Sequence, residues 1–181
     1  PFSQRYHTVA YSRRYNYPNN RVVPRADYSA IVDADDLATL IKTLNLGPAH
    51  IVGVSYGAYV ALFLAARHPE LVRSLVLSEP PLLRLLSELE GGKAIVNEFM
   101  SKVLEPTTRG FLKGPEAGVK AAVDGFGELG YSGSDKKMTF DTLAPMVRDP
   151  LIENAPEWRA LTLSQDPFPD LPFSTIAHIK V

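Results

Sequence analysis

The stretch Gly53-Val54-Ser55-Tyr56-Gly57 decides how this chain reads. The apolar pair Ile51-Val52 precedes it, and a helical-looking run from Ala58 to Arg67 follows. A G-x-S-x-G pattern between a strand and a helix holds its serine on a sharp turn, with the hydroxyl projecting clear of the sheet. A side chain two residues before or after that serine would crowd the turn, which accounts for glycine at 53 and 57. The serine itself must accept strained backbone angles. Ser55 is therefore expected to be a catalytic nucleophile.

Outward from this stretch, the elements alternate. Tyr6–Tyr11 is rich in β-branched and aromatic residues and reads as a strand. A polar loop from Ser12 to Pro24 follows, with Pro18, Asn19 and Asn20 as turn formers. From Ser29 to Leu46, Ile31, Ala34, Leu37, Ala38, Ile41 and Leu44 recur at helical spacing. Asp33, Asp35 and Asp36 lie early in that helix, where carboxylates suit the dipole, and Gly47-Pro48 is expected to stop it. Ala49–Val54 reads as a strand apolar enough for a sheet covered on both faces. Leu71–Leu77 reads as another, closed by Glu79-Pro80-Pro81. Such alternation implies a parallel sheet flanked by helices, the α/β class.

Beyond residue 81 the character changes. Leu82–Leu89, Ala94–Leu104, Pro115–Phe126, Phe140–Val147 and Leu151–Leu161 read as helices, and no strand is expected across 82–175. The tail Ile176–Val181 resembles the lead-in to another strand. The expected organisation is a core over 1–81, a helical cap or lid over 82–175, and the start of a return to the core over 176–181.

Composition narrows the function. Nineteen basic residues against twenty acidic ones give a net charge of −1, which does not suit nucleic acid or an anionic membrane. A small-molecule substrate is the expected partner, and oligomeric state is left open. The chain has no cysteine, which excludes disulfides and thiolate catalysis and fits a reducing compartment; a cytoplasmic location is the expectation. No apolar run reaches the roughly 18 residues of a membrane span.

From Tyr6 to Pro80 the chain resembles the α/β-hydrolase superfamily. The resemblance rests on the order strand, long loop, helix ending in Leu46-Gly47-Pro48, strand, Gly53-Val54-Ser55-Tyr56-Gly57, helix ending in Arg67-His68-Pro69-Glu70, strand. It implies that the three strands are the family's fourth, fifth and sixth, with a cap inserted after the sixth. The first three and last two strands would be missing from a fold of about 270–300 residues. Tyr6–Tyr11 would then face a vacant slot, because the family's third strand lies between the fourth and fifth. Members often carry an acidic residue, an arginine, two glycines and a serine in the loop after the fourth strand. Here Arg14 keeps the arginine, while Ser12, Tyr15, Tyr17 and Asn19 replace the rest and suggest a bulkier wall near the site.

The same resemblance implies site roles. A serine hydroxyl needs a base to take its proton and an acid to orient that base. Tyr56 would supply its backbone N–H to an oxyanion hole, whose second donor comes from a loop absent here. None of His7, His50, His68 and His178 suits the base; in the family that histidine follows the last strand. Some members place a carboxylate at the end of the sixth strand, where Glu79 stands. Glu79 is thus a candidate catalytic acid, with helix capping or solvent exposure as the alternative. Phe99, Met100, Phe111, Leu112, Phe126 and Trp158 read mainly as cap core, with an apolar pocket lining as the alternative. The arginines and tyrosines of 11–17 read as solvated loop residues, with gating of the pocket or recognition of a carboxylate as the alternative.

The expected function is hydrolysis of an ester or related small acyl compound through an acyl-Ser55 intermediate, with no metal or organic cofactor. This chain alone is expected to be nearly inactive and poorly stable. The rival from another class is a ligand receptor or scaffold that keeps the fold without turnover.

Overall fold

Helix α1 (Ala30–Thr43) forms where the apolar spacing predicts it, and buries Ala30, Asp33, Ala34, Leu37, Ala38 and Ile41. The structure is a computed structural model, and it describes residues 2–19, 26–130 and 137–181. The predicted stop at Gly47-Pro48 comes earlier. The chain leaves α1 through Asn45 at φ 54°, with Leu46 N–H bonded to the Ile41 carbonyl and Asn45 N–H to that of Lys42. Asparagine tolerates this left-handed closure better than most residues.

Strand β1 (Ala49–Val54) leads into α2 (Tyr56–Arg67), and β2 (Val72–Ser78) pairs parallel to β1 with Val54 opposite Ser78. Helices α1 and α2 cover one sheet face. There Ile51, Leu75 and Leu77 pack on a core built from Leu37, Ile41, Val60, Phe63, Leu64 and Leu71. The other face is open, contrary to the expectation for Ala49–Val54: Val52, Val54 and Val76 are 70%, 66% and 61% exposed. Burial of a side chain of this type stabilises by about 1.5–3 kcal/mol, so the open face forgoes several times that.

The predicted strand at Tyr6–Tyr11 does not form. Residues 7–13 have no regular structure, and the sheet has only two strands among the described residues. A strand persists only where a neighbour satisfies its N–H and C=O groups, and among the described residues no strand pairs with this one. Tyr6, Val9 and Tyr11 are accordingly exposed. The part of the predicted loop from Asn20 to Pro24 lies outside the described residues.

From residue 83 onward the described chain is helical: α3 (Leu83–Glu88), α4 (Gly92–Phe99), α5 (Glu105–Phe111), α6 (Pro115–Glu128), α7 (Pro145–Glu153), α8 (Ala155–Leu163) and α9 (Phe173–Ala177). The expected Ala94–Leu104 helix runs on through a π turn at Met100–Leu104 into α5. Pro106 lacks the N–H that would close an α turn there, and its ring crowds the preceding carbonyls. The expected Phe140–Val147 helix splits for a similar reason: Ala144 is extended ahead of Pro145, which opens α7. Instead of a strand lead-in, the tail forms α9 and an irregular end whose Ile176 and Ile179 pack on the main core. Among the described residues no helix is long and apolar enough to cross a membrane.

Candidate active site

Ser55 sits one residue past the last paired position of β1, with φ 51° and ψ −124°. This backbone conformation is strongly disfavoured for any residue bearing a Cβ. It is held from both sides. Ser55 N–H donates to the Ser78 carbonyl of β2 at 2.8 Å, and the Ser55 carbonyl accepts from Ala58 and Tyr59 N–H. The side chain is exposed and makes no hydrogen bond among the described residues, so the hydroxyl neither caps α2 nor fills a core.

The two motif glycines have different reasons. A Cβ on Gly53 would lie 2.6 Å from the Gly57 carbonyl oxygen and 2.7 Å from Ala58 Cα, so the start of α2 packs directly against β1. A Cβ on Gly57 would meet only Arg13 Nη1, at an ordinary 3.8 Å. The expectation that a side chain at either position crowds the turn holds for Gly53 and fails for Gly57.

Tyr56 opens α2, where the first backbone N–H groups have no intrahelical acceptor and collect the positive end of the helix dipole. Its ring turns inward, edge-on to Tyr59 and Phe168. Burial, then the nearby Asp33 and Glu157 carboxylates, push the Tyr56 phenol well above its ordinary pKa, so it stays neutral. Its hydroxyl has no hydrogen-bond partner among the described residues.

Glu79 follows Ser78 on β2 and stands beside Ser55 at the carboxyl end of the sheet, where parallel strands lie about 4.8 Å apart. It too has a positive φ, 51°. Residues before proline ordinarily prefer the extended region, so this departure has no signal in the sequence. The carboxylate is exposed and makes no ion pair or hydrogen bond among the described residues.

The four histidines lie elsewhere. His7 is exposed in an irregular segment. His50 Nδ1 and Ser74 Oγ share a 2.7 Å hydrogen bond near the amino end of the sheet. His68 ends α2 and faces Asp35 at 3.3 Å, and His178 Nδ1 is bonded to the Ser174 carbonyl. None contacts Ser55.

Asp33 and Glu157, next to the elbow, escaped the sequence reading as site residues, and Arg13 entered it only as a loop arginine that could recognise a carboxylate. Arg13 Nε donates to Glu157 Oε1 at 2.8 Å and lies 3.6 Å from Asp33 Oδ2. Tyr28 donates to the same Asp33 oxygen at 2.6 Å, while Asp33 Oδ1 has no partner among the described residues. Burial raises the Asp33 carboxyl to about 6, against the opposing pull of the Tyr28 hydrogen bond and the Arg13 charge. Burial works against the Arg13 charge, but Glu157 more than offsets it and raises the guanidinium pKa. Arg14 forks onto Asp36, and Tyr15 is 1% exposed, edge-on to Tyr28 in a small core with Ala160 of α8. Arg13 and Arg14 are thus held by carboxylates and Tyr15 is packed, whereas Tyr11 and Tyr17 stay exposed. Asp33 had left a trace, being a carboxylate on the apolar stripe of α1; Glu157 left none.

The aromatic candidates beyond residue 82 pack on one another, Phe126 lying 6.1 Å from both Phe99 and Trp158. A polar hollow of about 280 Å³, lined by Tyr11, Ser12, Arg13, Asn16, Tyr17 and Asn154, adjoins the elbow through Arg13. A larger one of about 640 Å³ lies at the far end of α2, around Ala65, Pro69 and His178.

Comparison with known proteins agrees with this geometry. The chain is 42% identical to a 2-(acetamidomethylene)succinate hydrolase of Mesorhizobium japonicum over 74 residues, which are 41% of this chain and 26% of that protein. It is 36% identical to the uncharacterized hydrolase YraK of Bacillus subtilis over 81 residues, 45% of this chain and 30% of the relative. The matched segments thus span under a third of either relative. The family model for the alpha/beta hydrolase fold matches residues 1–113. With a strained serine between a parallel strand and its following helix, and with that match across more than half of its length, this chain belongs to the alpha/beta hydrolase fold family.

Proposed function

We propose that the native protein is a serine hydrolase of esters or related small acyl compounds. The observation that carries this reading is the Ser55 backbone at φ 51° and ψ −124°, at the carboxyl end of β1, with an exposed and unbonded hydroxyl. Strain of this kind costs about 1–3 kcal/mol and persists where a site needs it. Ser55 Oγ attacks the acyl carbon as its proton passes to a base. The acyl group stays on Ser55 while the alcohol leaves, and water then releases the acid. The Tyr56 N–H, at the positive end of α2, faces the oxyanion that forms in each step. Glu79 is the acid proposed to orient the base, because it leaves the sheet beside Ser55. The scheme calls for no metal or organic cofactor. Residues 82–175 serve as a cap over a small-molecule substrate. The relative named for hydrolysing an acetamido compound agrees with a small acyl substrate.

The base is not one of the four histidines of this chain, since none meets Ser55. By itself the 181-residue chain is therefore proposed to hydrolyse almost nothing. The same observation favours a second reading, a ligand receptor that keeps the elbow and does not turn over. A fluorophosphonate probe separates the two. Labelling of the native protein at Ser55, lost in Ser55→Ala, supports the hydrolase. An unlabelled, folded native protein rejects it in favour of the receptor.

A further inference from the structure

Arg13 touches three elements at once. From the loop after residue 11, its Nε and Nη2 both donate to Glu157 Oε1 on α8, a residue 144 positions away. Nε also lies 3.6 Å from Asp33 on α1. The guanidinium carbon stands 5.4 Å from the centroid of the Tyr56 ring, and Nη1 is the one group that a Cβ on Gly57 would meet. Both carboxylates are withdrawn from water, Asp33 being 1% and Glu157 8% exposed. Charges so buried are held only where partners fix them, and removing one partner strands the others. Among the described residues, the polar contact between α8 and the elbow runs through this one side chain. Two of its nitrogens serve Glu157 while its central carbon stands over the Tyr56 ring, and a lysine ammonium, a single point charge, lacks that fork.

We infer that Arg13 is a positioning residue that couples the seating of α8, through Glu157, to the backbone of Tyr56 and Gly57 at the start of α2. When α8 is seated, Glu157 holds the guanidinium against the Tyr56 ring and fixes the first turn of α2. When α8 shifts, the guanidinium follows Glu157 and the turn relaxes. The consequence for turnover rests on the reading of Ser55 and Tyr56 given above, whereas the coupling itself does not.

Trp158 makes the coupling measurable, because it is the single tryptophan and follows Glu157 directly. Amide and indole resonances of the 181-residue chain would be compared in Glu157→Gln, which keeps the shape and removes the charge, and in Arg13→Lys, which keeps the charge and removes the fork. The expected result is that Glu157→Gln moves the Trp158 indole and, with it, the Tyr56 and Gly57 amides. Arg13→Lys moves the same two amides, and the double variant moves them no further. A dispersed spectrum in which Glu157→Gln displaces Trp158 but leaves Tyr56 and Gly57 in place overturns the proposal, as do additive shifts in the double variant. In the native protein, fluorophosphonate labelling of Ser55 should slow about tenfold in Glu157→Gln. If the wild type is not labelled while the resonances still move together, the coupling stands and the hydrolase reading fails.

Discussion

The two ends of the β1–β2 sheet carry polar residues of similar kind under opposite conditions. Near the amino end, His50 and Ser74 share a 2.7 Å hydrogen bond on neighbouring strands, at a register shift between Ala49 and His50. At the carboxyl end, Ser55 and Glu79 have no side-chain partner among the described residues, yet both have φ 51°. Judged by hydrogen bonding alone, the amino end has more of the look of a catalytic dyad. Its serine nevertheless lies inside β2 without a positive φ, and among the described residues no helix begins from it as α2 does from Ser55. A satisfied polar pair stabilises by about 1 kcal/mol and is common on protein surfaces. Two unpartnered side chains on strained backbone at one sheet end have no such stabilising role, which is why the proposed site is assigned by strain and not by pairing.

The sharpest way to break this comparison is to remove each serine. Ser55→Ala should lower ester turnover of the native protein by about a thousandfold or more, while Ser74→Ala and His50→Ala stay within a few-fold. Equal losses at the two ends would show that the strained backbone has been misread.

A second test lies within the motif. Gly53→Ala should destabilise the chain by about 3 kcal/mol in thermal or urea unfolding, because its Cβ would meet backbone on α2. Gly57→Ala should change stability by less than about 1 kcal/mol, since it gains helix propensity and meets only Arg13 at 3.8 Å.

The carboxyl end should also carry a pH dependence through Asp33. Folding raises the Asp33 carboxyl from an ordinary 3.8 to about 6 through burial. The folded state therefore binds this proton more tightly than the unfolded one. The associated stability is present below about pH 4 and is lost as pH rises through about 6, up to about 3 kcal/mol. Unfolding midpoints of wild type and Asp33→Asn should accordingly diverge between pH 4 and pH 7, with the wild type losing ground. Parallel curves would remove Asp33 from the account.

The smallest expected effect concerns Glu79. Glu79→Gln should lower turnover of the native protein by about tenfold or more through a weakened base. Turnover within a few-fold of wild type would leave Glu79 without a catalytic role. In the 181-residue chain Glu79→Gly should raise stability by about 1 kcal/mol, because glycine accepts φ 51° without strain.

Much of the fold was legible in local pattern. The apolar stripe of α1, the glycine at 53, the β1–α2 and α2–β2 alternation and the elbow at Ser55 each depend on neighbours within a few residues, where periodicity and steric rules act. The failures were of another kind. Tyr6–Tyr11 has good strand composition but no ladder partner, and composition cannot supply one. Ala49–Val54 is apolar enough for a sheet covered on both faces, yet nothing among the described residues covers Val52 and Val54. Arg13 and Tyr15 read as loop residues because their partners, Glu157 and Ala160, are far along the chain.

By itself, then, the sequence determined the strand–elbow–helix unit and the identity of Ser55 as the residue on the turn. Hydrogen bonds between near neighbours and the absence of a Cβ at Gly53 suffice for that. Only the tertiary structure decided that Glu79 shares the strain of Ser55 and that Arg13 reaches both α1 and α8 beside the elbow. Each of these depends on which distant segments come together, and that is set by burial summed over the whole chain.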